Sequence, residues 1–418
     1  MVKLLVLADD FTGALDTGVK FADVGIPTQV IVAKVFDFST VDPEVTVLVI
    51  DLQTRHQLPA VAYEAVYQMA KQAMQAGVPY ILKKTDSALR GNIGSELTAL
   101  YDASKQPALS FIPALPAMFR TTVNGIHLID GVPVNESVFG KDPFSPVNHA
   151  SVVDIIKEQS TILTQVIPKG ASSEMSGCGV LVLDSETETD LLETAKKLHE
   201  QDALSIMAGC SGLGSVLPEV LGLSGGQVRH FRQLEKFVVV CGSVNPVTTT
   251  QILYAESEGF EHIELTLGEK MEATFWGTDQ GQQRVAEIVE ILNSHSRVMI
   301  SSFDRDHSGV TLEYGRKLGI SANQIGECIA ASIGRLLKEI VDTGFVATFL
   351  VTGGDTLLGF MRQIFASELD IITEIAPGNV LSQLTYNGDN HQLISKSGGF
   401  GAENLLVEIA EKLKVKKG

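Results

Sequence analysis

Lys3-Leu4-Leu5-Val6-Leu7-Ala8-Asp9-Asp10-Phe11-Thr12-Gly13-Ala14 is the stretch that decides the fold class of this chain. From Lys3 to Ala8 only the lysine is polar, as a strand buried on both faces of a parallel sheet requires. The run stops at two adjacent carboxylates. Thr12 or Gly13 can then start a helix that continues through Leu15, Val19 and Phe21. In open α/β sheets, ligands bind beyond the carboxyl ends of the strands. Asp9 and Asp10 therefore stand where such a fold does its chemistry. One can bind a hydroxyl or a metal while the other caps the helix.

The same alternation extends outward. Thr28–Val32, Val45–Ile50, Tyr80–Leu82 and Leu109–Ile112 read as strands, with a helix at Val61–Ala76. Val180–Leu183 and Leu204–Ala208 follow, flanking a helix around Leu191–His199. Met118–His149 breaks the pattern: it is rich in Gly, Pro and Asn and reads as a β-ribbon or flap whose His and Asn residues are structural. A second break falls at Ser224-Gly225-Gly226 and the polar run Arg229-His230-Phe231-Arg232. Strands then resume at Phe237–Cys241, Val298–Ser301 and Phe345–Val351. Helices are expected at Thr249–Glu258, Val285–Ser294, Ala330–Val341 and Leu357–Phe365, and a closing helix at Glu403–Lys414 has a basic last turn. The expected architecture is α/β in two domains, 1–223 and 236–418, each with a mostly parallel sheet flanked by helices.

Composition narrows the function. Among 418 residues, 50 acidic against 32 basic give a net charge of −18, which argues against nucleic acid or an anionic membrane as the main partner. A small anion needs only a local basic pocket and stays open. Cys178, Cys210, Cys241 and Cys328 have neither zinc nor redox spacing and read as reduced, buried thiols of a cytosolic protein. No signal peptide and no membrane-spanning apolar run is expected.

Four turns after strands carry chemistry. The first is Asp9-Asp10. The second, Lys83-Lys84-Thr85-Asp86-Ser87-Ala88-Leu89-Arg90-Gly91-Asn92, gathers cations, an acid and two hydroxyls in an otherwise acidic protein. Lys and Arg at a strand end suit a carboxylate or phosphate, and Arg55, after the third strand, can join them. The third turn is Cys241-Gly242-Ser243-Val244-Asn245-Pro246, where Gly and Ser let backbone amides approach a phosphate at a helix N-terminus. The fourth is Thr352-Gly353-Gly354-Asp355-Thr356, in which Asp355 can cap the helix, bind magnesium or act as a base. Ser397-Gly398-Gly399-Phe400-Gly401 offers a further backbone cradle. There is no P-loop, no dinucleotide fingerprint and no nucleophile elbow, and Asp304-Arg305-Asp306 stands without the other kinase signatures.

Taken in order, Ala8-Asp9-Asp10-Phe11-Thr12-Gly13-Ala14, Lys84-Thr85-Asp86-Ser87 with Arg90-Gly91-Asn92, Gly242-Ser243 and Thr352-Gly353-Gly354-Asp355-Thr356 form a set that resembles the four-carbon acid sugar kinase family over essentially the whole chain. The resemblance implies a sugar-acid-binding N-terminal domain, a nucleotide-binding C-terminal domain and an active site in the cleft between them. It implies transfer of the ATP γ-phosphate to the terminal hydroxyl of D-threonate or D-erythronate, with 3-oxo-tetronate as the alternative. Asp16-Thr17-Gly18-Val19 looks more like the threonate and erythronate kinases. By the same resemblance Asp10, Arg55, Lys84 and Asp86 hold the sugar acid, with Thr85 and Ser87 in the same set. Ser243, Gly353, Gly354, Asp355, Thr356 and Gly399 hold ATP.

Phosphoryl transfer asks for positioning and charge neutralisation. Mg²⁺ bridging the phosphates is therefore expected, its protein ligands unassigned. Arg55 and Lys84 are expected to clamp the substrate carboxylate, and Asp355 is placed first as base, ahead of Asp10 and Asp86. The partners are thus the sugar acid and ATP, with self-association left open. Two rival classes are an NAD-dependent sugar-acid oxidoreductase and a non-catalytic sugar-acid sensor. Cofactor absorbance would separate the first, and ATP consumption driven by a sugar acid the second.

Overall fold

Short, unbroken apolar runs become strands because a strand covered on both faces exposes no side chain to water. The computed structural model describes residues 1–142, 145–171, 178–226, 229–242, 245–304 and 309–416, with backbone only at 322–323. They form two units, Met1–Arg229 and His230–Gly418.

The first unit contains β1 (Leu4–Ala8), β2 (Thr28–Val32), β3 (Val47–Asp51), β4 (Tyr80–Lys84), β5 (Ala108–Ile112), β6 (Arg120–Val123), β7 (Ile126–Ile129), β8 (Val132–Pro133), β9 (Thr164–Ile167), β10 (Gly179–Leu183) and β11 (Ile206–Gly209). Eight of these make one sheet in the order β2-β3-β1-β4-β11-β5-β10-β9, parallel throughout. Its register sets Ala8 beside both Asp51 and Lys84, and Lys84 beside Gly209, so these strand ends are level. The core packs Leu5, Ile50, Leu97 and Phe111, each essentially inaccessible to solvent. Burial of each such side chain contributes about 1.5–3 kcal/mol.

The second unit contains β12 (Phe237–Cys241), β13 (Glu261–Glu264), β14 (Arg297–Ser301), β15 (Thr348–Thr352), β16 (Glu368–Ala376), β17 (Asn379–Tyr386) and β18 (Asp389–Lys396). β13-β14-β12-β15-β18 are parallel, and β17 and β16 continue antiparallel. Here Ser301, Cys241, Thr352 and Lys396 stand level at the strand ends. Phe237, Leu350, Ile394 and Ile409 lie in its core.

Several expectations shift. The first helix starts at Phe11, not at Thr12 or Gly13, because Asp10 is the extended N-cap and its carboxylate accepts from Gly13 N. β4 runs on to Lys84, so Lys83 and Lys84 are strand residues rather than turn residues. The Met118–His149 excursion contains the antiparallel β6–β7 hairpin, closed by Asn124 and Gly125 at φ +51° and +74°. Asp184 pins that turn by accepting from Asn124 N at 2.6 Å and Gly125 N at 2.9 Å. β9, β13 and the β16–β18 meander fall in segments where no strand is expected from sequence. All four cysteines are free; Cys210 and Cys241 are buried as expected, but Cys178 is exposed and Cys328 half-buried. Among the described residues, no helix is long and apolar enough to cross a membrane.

Candidate active site

β1, β3 and β4 deliver their last residues to one edge of the first sheet. The loop after β3 folds back over β1, with Thr54 N and Arg55 N both donating to Asp9 O at 3.0 and 3.1 Å. This aims Arg55 at the acids. Its Nε donates to Asp9 Oδ2 and its Nη2 to Asp10 Oδ1, both at 2.7 Å, while Asp86 Oδ1 lies 3.6 Å from Nη2. Gly91, at φ +89°, lets the chain pass this arginine: a β-carbon there would meet Arg55 Cγ at 3.2 Å.

The acids are not equivalent. Burial alone would raise the Asp9 carboxyl, but Arg55, Lys83 and Lys84 outweigh it and hold Asp9 below the ordinary range. Burial pushes Asp10 up, Arg55 opposes this, and the charge of Asp9 adds to the rise. Asp86 accepts from Ala88 N, Arg90 N and the Arg90 guanidinium. Against the cost of burial, Arg55 and Arg90 hold it well below the carboxylate range. A carboxylate so committed is a poor proton acceptor, so of the two sugar-side base candidates the geometry favours Asp10.

The two adjacent lysines part company, because successive strand residues face opposite sides. Lys83 is fully buried, with Nζ 3.1 Å from Glu96 Oε2 and donating to Leu7 O and Lys84 O. It is a structural cation. Lys84 points the other way and is 4% exposed. Among the described residues its ammonium has no hydrogen-bond or ion-pair partner within reach. A β-carbon on Gly13 would fall 2.6 Å from Lys84 Nζ and 2.5 Å from Asp10 Oδ1, so the ammonium lies over the first turn of the helix beside Asp10. Asp9 Oδ1 and Thr85 Oγ1 are buried without partners at the same edge. Unpaired buried polar atoms are costly, and ligand groups can supply the missing partners.

The structure therefore brings Asp10, Arg55, Lys84, Thr85, Asp86 and Ser87 to one edge. Arg55 is surrounded by three carboxylates: its guanidinium donates to Asp9 and Asp10 and lies 3.6 Å from Asp86, so in this structure it holds acids in place. Sequence reasoning missed Arg120 and His127 on the hairpin. Arg120 Nη1 donates to Ser87 Oγ, and His127 Nε2 donates to Ser87 O at 2.9 Å while Nδ1 accepts from Thr122 Oγ1. Burial pushes His127 down to about 4, which keeps the imidazole neutral. No local pattern marks these residues, because the hairpin reaches Ser87 only through the tertiary fold.

In the second unit Gly353 is the N-cap of helix Gly354–Gln363, at φ +97°, and no side chain caps this helix. Asp355 is an exposed first-turn residue and does not cap the helix, one of the three roles open to it from sequence. Gly353 N donates to Lys396 O, which ties the turn to the end of β18. Thr356 Oγ1 packs against Gly242, where a β-carbon would collide with it. Thr248 donates to Gly398 O, and Gln251 Nε2 donates to the carbonyls of Phe400, Gly401 and Ala402. Gly399 is thereby held beside Asn245, the N-cap of helix Pro246–Ser257. Gly353, Gly354, Asp355, Thr356 and Gly399 thus share one edge. Ser243, like Arg305 and Asp306, lies outside the described residues. An uncapped helix start, a glycine turn and the buried, unpartnered Thr352 Oγ1 form a cradle that fits a phosphate. No group of three or more His, Cys, Asp or Glu suited to a metal occurs among the described residues.

One unit thus offers cations and acids to a polar anion, and the other a phosphate cradle. Comparison with known proteins agrees with this division. Residues 4–217 match the family described as sugar-binding N-terminal domain, and residues 238–406 that described as nucleotide-binding C-terminal domain. The chain belongs to the four-carbon acid sugar kinase family. It is 29% identical to a D-threonate kinase of Salmonella typhimurium, with 97% of each chain covered. It is 27% identical to a D-erythronate kinase of Heliobacterium modesticaldum, covering 96% of this chain and 94% of the relative. A 3-oxo-tetronate kinase of Haemophilus influenzae is 24% identical over 96% and 97% of the two chains. Crystal structures of proteins from Salmonella typhimurium LT2 and Haemophilus influenzae share the fold. Their TM-scores are 0.81 and 0.75 at 22% identity, covering 98% of both chains in the first pair and 97% and 99% in the second.

Proposed function

We propose that this protein phosphorylates the terminal hydroxyl of a four-carbon sugar acid with ATP, D-threonate or D-erythronate being the substrate. The observation that carries this reading is Lys84, a residue only 4% exposed whose ammonium, beside three carboxylates, has no anionic partner within ion-pair distance among the described residues. A monoanion bearing hydroxyls answers both halves of that site. Its carboxylate supplies the missing charge, and its hydroxyls donate to acids such as Asp9 and Asp10.

Asp10, Lys84, Thr85, Asp86 and Ser87 would hold the sugar acid, with Arg55 fixing the carboxylates in place. Gly353, Gly354, Thr356 and Gly399, with Ser243, would bind the ATP phosphates through backbone amides and a hydroxyl. Mg²⁺ bound with ATP would offset phosphate charge, and Asp355 is the protein carboxylate suited to order its water shell or to accept the substrate proton. Asp10, with its raised affinity for a proton, is the second candidate base. A cytoplasmic location, where ATP is plentiful, suits this reading.

The test is a screen of four-carbon acids, including 3-oxo-tetronate, with ADP release as the readout. ADP release dependent on D-threonate or D-erythronate is the expected result. Preference for 3-oxo-tetronate would reassign the substrate, and silence with every four-carbon acid would overturn the reading.

A further inference from the structure

Arg120, at the start of the β6–β7 hairpin, is only 8% exposed. Its side chain makes two contacts among the described residues: Nη1 donates to Ser87 Oγ, and the guanidinium lies over the Phe139 ring at 5.2 Å. Among the described residues no carboxylate pairs with it. Arg90 lies over the same ring, also at 5.2 Å, but Asp86 and Asp142 consume its charge. A buried guanidinium without a counter-ion is expensive unless an anion arrives. Its remaining donors are not sealed from solvent, and neither is Lys84 Nζ, so a ligand can reach both.

Arg120 and Lys84 also converge. Burial pushes the Cys210 thiol up to about 11, and among the forces pulling the other way are the charges of Lys84 and Arg120. The backbone agrees: Lys84 pairs with Gly209, the residue before Cys210, and Arg120 pairs with Leu115, the residue after Ala114, whose carbonyl accepts from Cys210 Sγ; Cys210 is the N-cap of helix Ser211–Val220, whose first turn has no side-chain cap. Two unpaired buried cations beside an uncapped helix start make an anion site.

We propose that Arg120, together with Lys84, binds the carboxylate of the sugar acid and so makes the enzyme select acids over neutral polyols. This rests on the functional reading above and moves the carboxylate clamp from Arg55 to the hairpin. Arg120 also keeps Ser87 in place, so the planar fork reads the acid from a fixed position.

The test compares Arg120→Gln with wild type by calorimetric binding of D-threonate and of D-threonamide, in which a neutral amide replaces the carboxylate. Losing a charge-assisted contact should weaken D-threonate by about 10- to 100-fold and leave D-threonamide unchanged. Equal loss for both ligands would show that Arg120 acts only by holding Ser87, and no loss for either would show no role; either result overturns the proposal. Arg120→Lys serves where Arg120→Gln does not fold: it should lose D-threonate affinity selectively but less, and an unaltered acid-to-amide ratio overturns the proposal. Wild-type enzyme that releases ADP with a sugar acid while Arg120→Gln keeps its acid selectivity refutes the Arg120 assignment alone. Wild-type enzyme that turns over no four-carbon acid refutes the functional reading itself.

Discussion

Replacing Gly13 by Ala adds one methyl group at the start of the first helix, and the site should feel it more than the fold does. That methyl would lie 2.5 Å from Asp10 Oδ1 and 2.6 Å from Lys84 Nζ. Heavy atoms rest comfortably at about 3.5 Å, so each polar atom must retreat by roughly 1 Å. Both are ends of side chains that can swing. Helix propensity favours Ala by about 1 kcal/mol, and crowding costs about 1–3 kcal/mol. Net stability should therefore fall by about 0–2 kcal/mol, at about 2–4 °C of melting shift per kcal/mol. A group misplaced by about 1 Å can cost on the order of 100-fold in rate. The expected result is kcat/KM for the sugar acid lowered on the order of 100-fold, with the KM for ATP unchanged. ADP-release kinetics across both substrates, with a circular-dichroism melt of the same sample, measure this. If kcat/KM stays within about threefold of wild type, worth well under 1 kcal/mol, the ammonium over that helix turn has no part in binding.

Three further outcomes follow from other sites. Asp355 caps nothing, so Asp355→Asn should melt like wild type yet lose turnover on the order of 100-fold; a normal kcat would remove it from the mechanism and direct the search to Asp10. Gly353 sits at φ +97°, so Gly353→Ala should strain the cradle and raise the KM for ATP with sugar-acid binding intact, and an unchanged ATP KM would show that this turn holds no phosphate. The buried Asp51 carboxyl is pushed up to about 8 by burial, which outweighs the hydrogen bond from Gln53 N, while the charges of Asp10 and Asp9 add to the rise. The folded state thus binds this proton more tightly than the unfolded state, whose value is about 4. The stabilisation is complete below the unfolded value and is lost as pH climbs to about 8. Urea unfolding at pH 5 and pH 8 should show a smaller loss of stability for Asp51→Asn than for wild type, and parallel losses would contradict the assignment.

Apart from β9, β13 and β18, which mix polar and apolar residues, the parallel strands of both units were legible because each is a nearly unbroken apolar run ending in a polar or glycine turn. Asp10, Lys84 and Asp86 were legible for the same reason, since strand ends in such sheets are exposed to ligands. The β16–β18 meander was not, because its strands mix polar and apolar residues as one-sided antiparallel strands do. Yet Asn387-Gly388, at φ +53° and +85°, marks the β17–β18 turn as plainly as Asn124-Gly125 marks the β6–β7 hairpin. What local sequence cannot show is the company a side chain keeps. Arg55 looks like a free cation until three acids are seen around it, and Arg120 looks like loop composition until it is found on Ser87.

The parting of Lys83 and Lys84 constrains how this family can change over generations. Lys83 pairs inward with Glu96 while Lys84 faces the ligand edge, and the pleat of β4 alone decides which does which. A single codon gained or lost between Tyr80 and Lys84 would exchange the two, burying the ligand-facing lysine and stranding Glu96 without its cation. Length variation among descendants of this gene should therefore collect before Tyr80 or beyond Asn92. The strand itself tolerates changes of letter and no change of count.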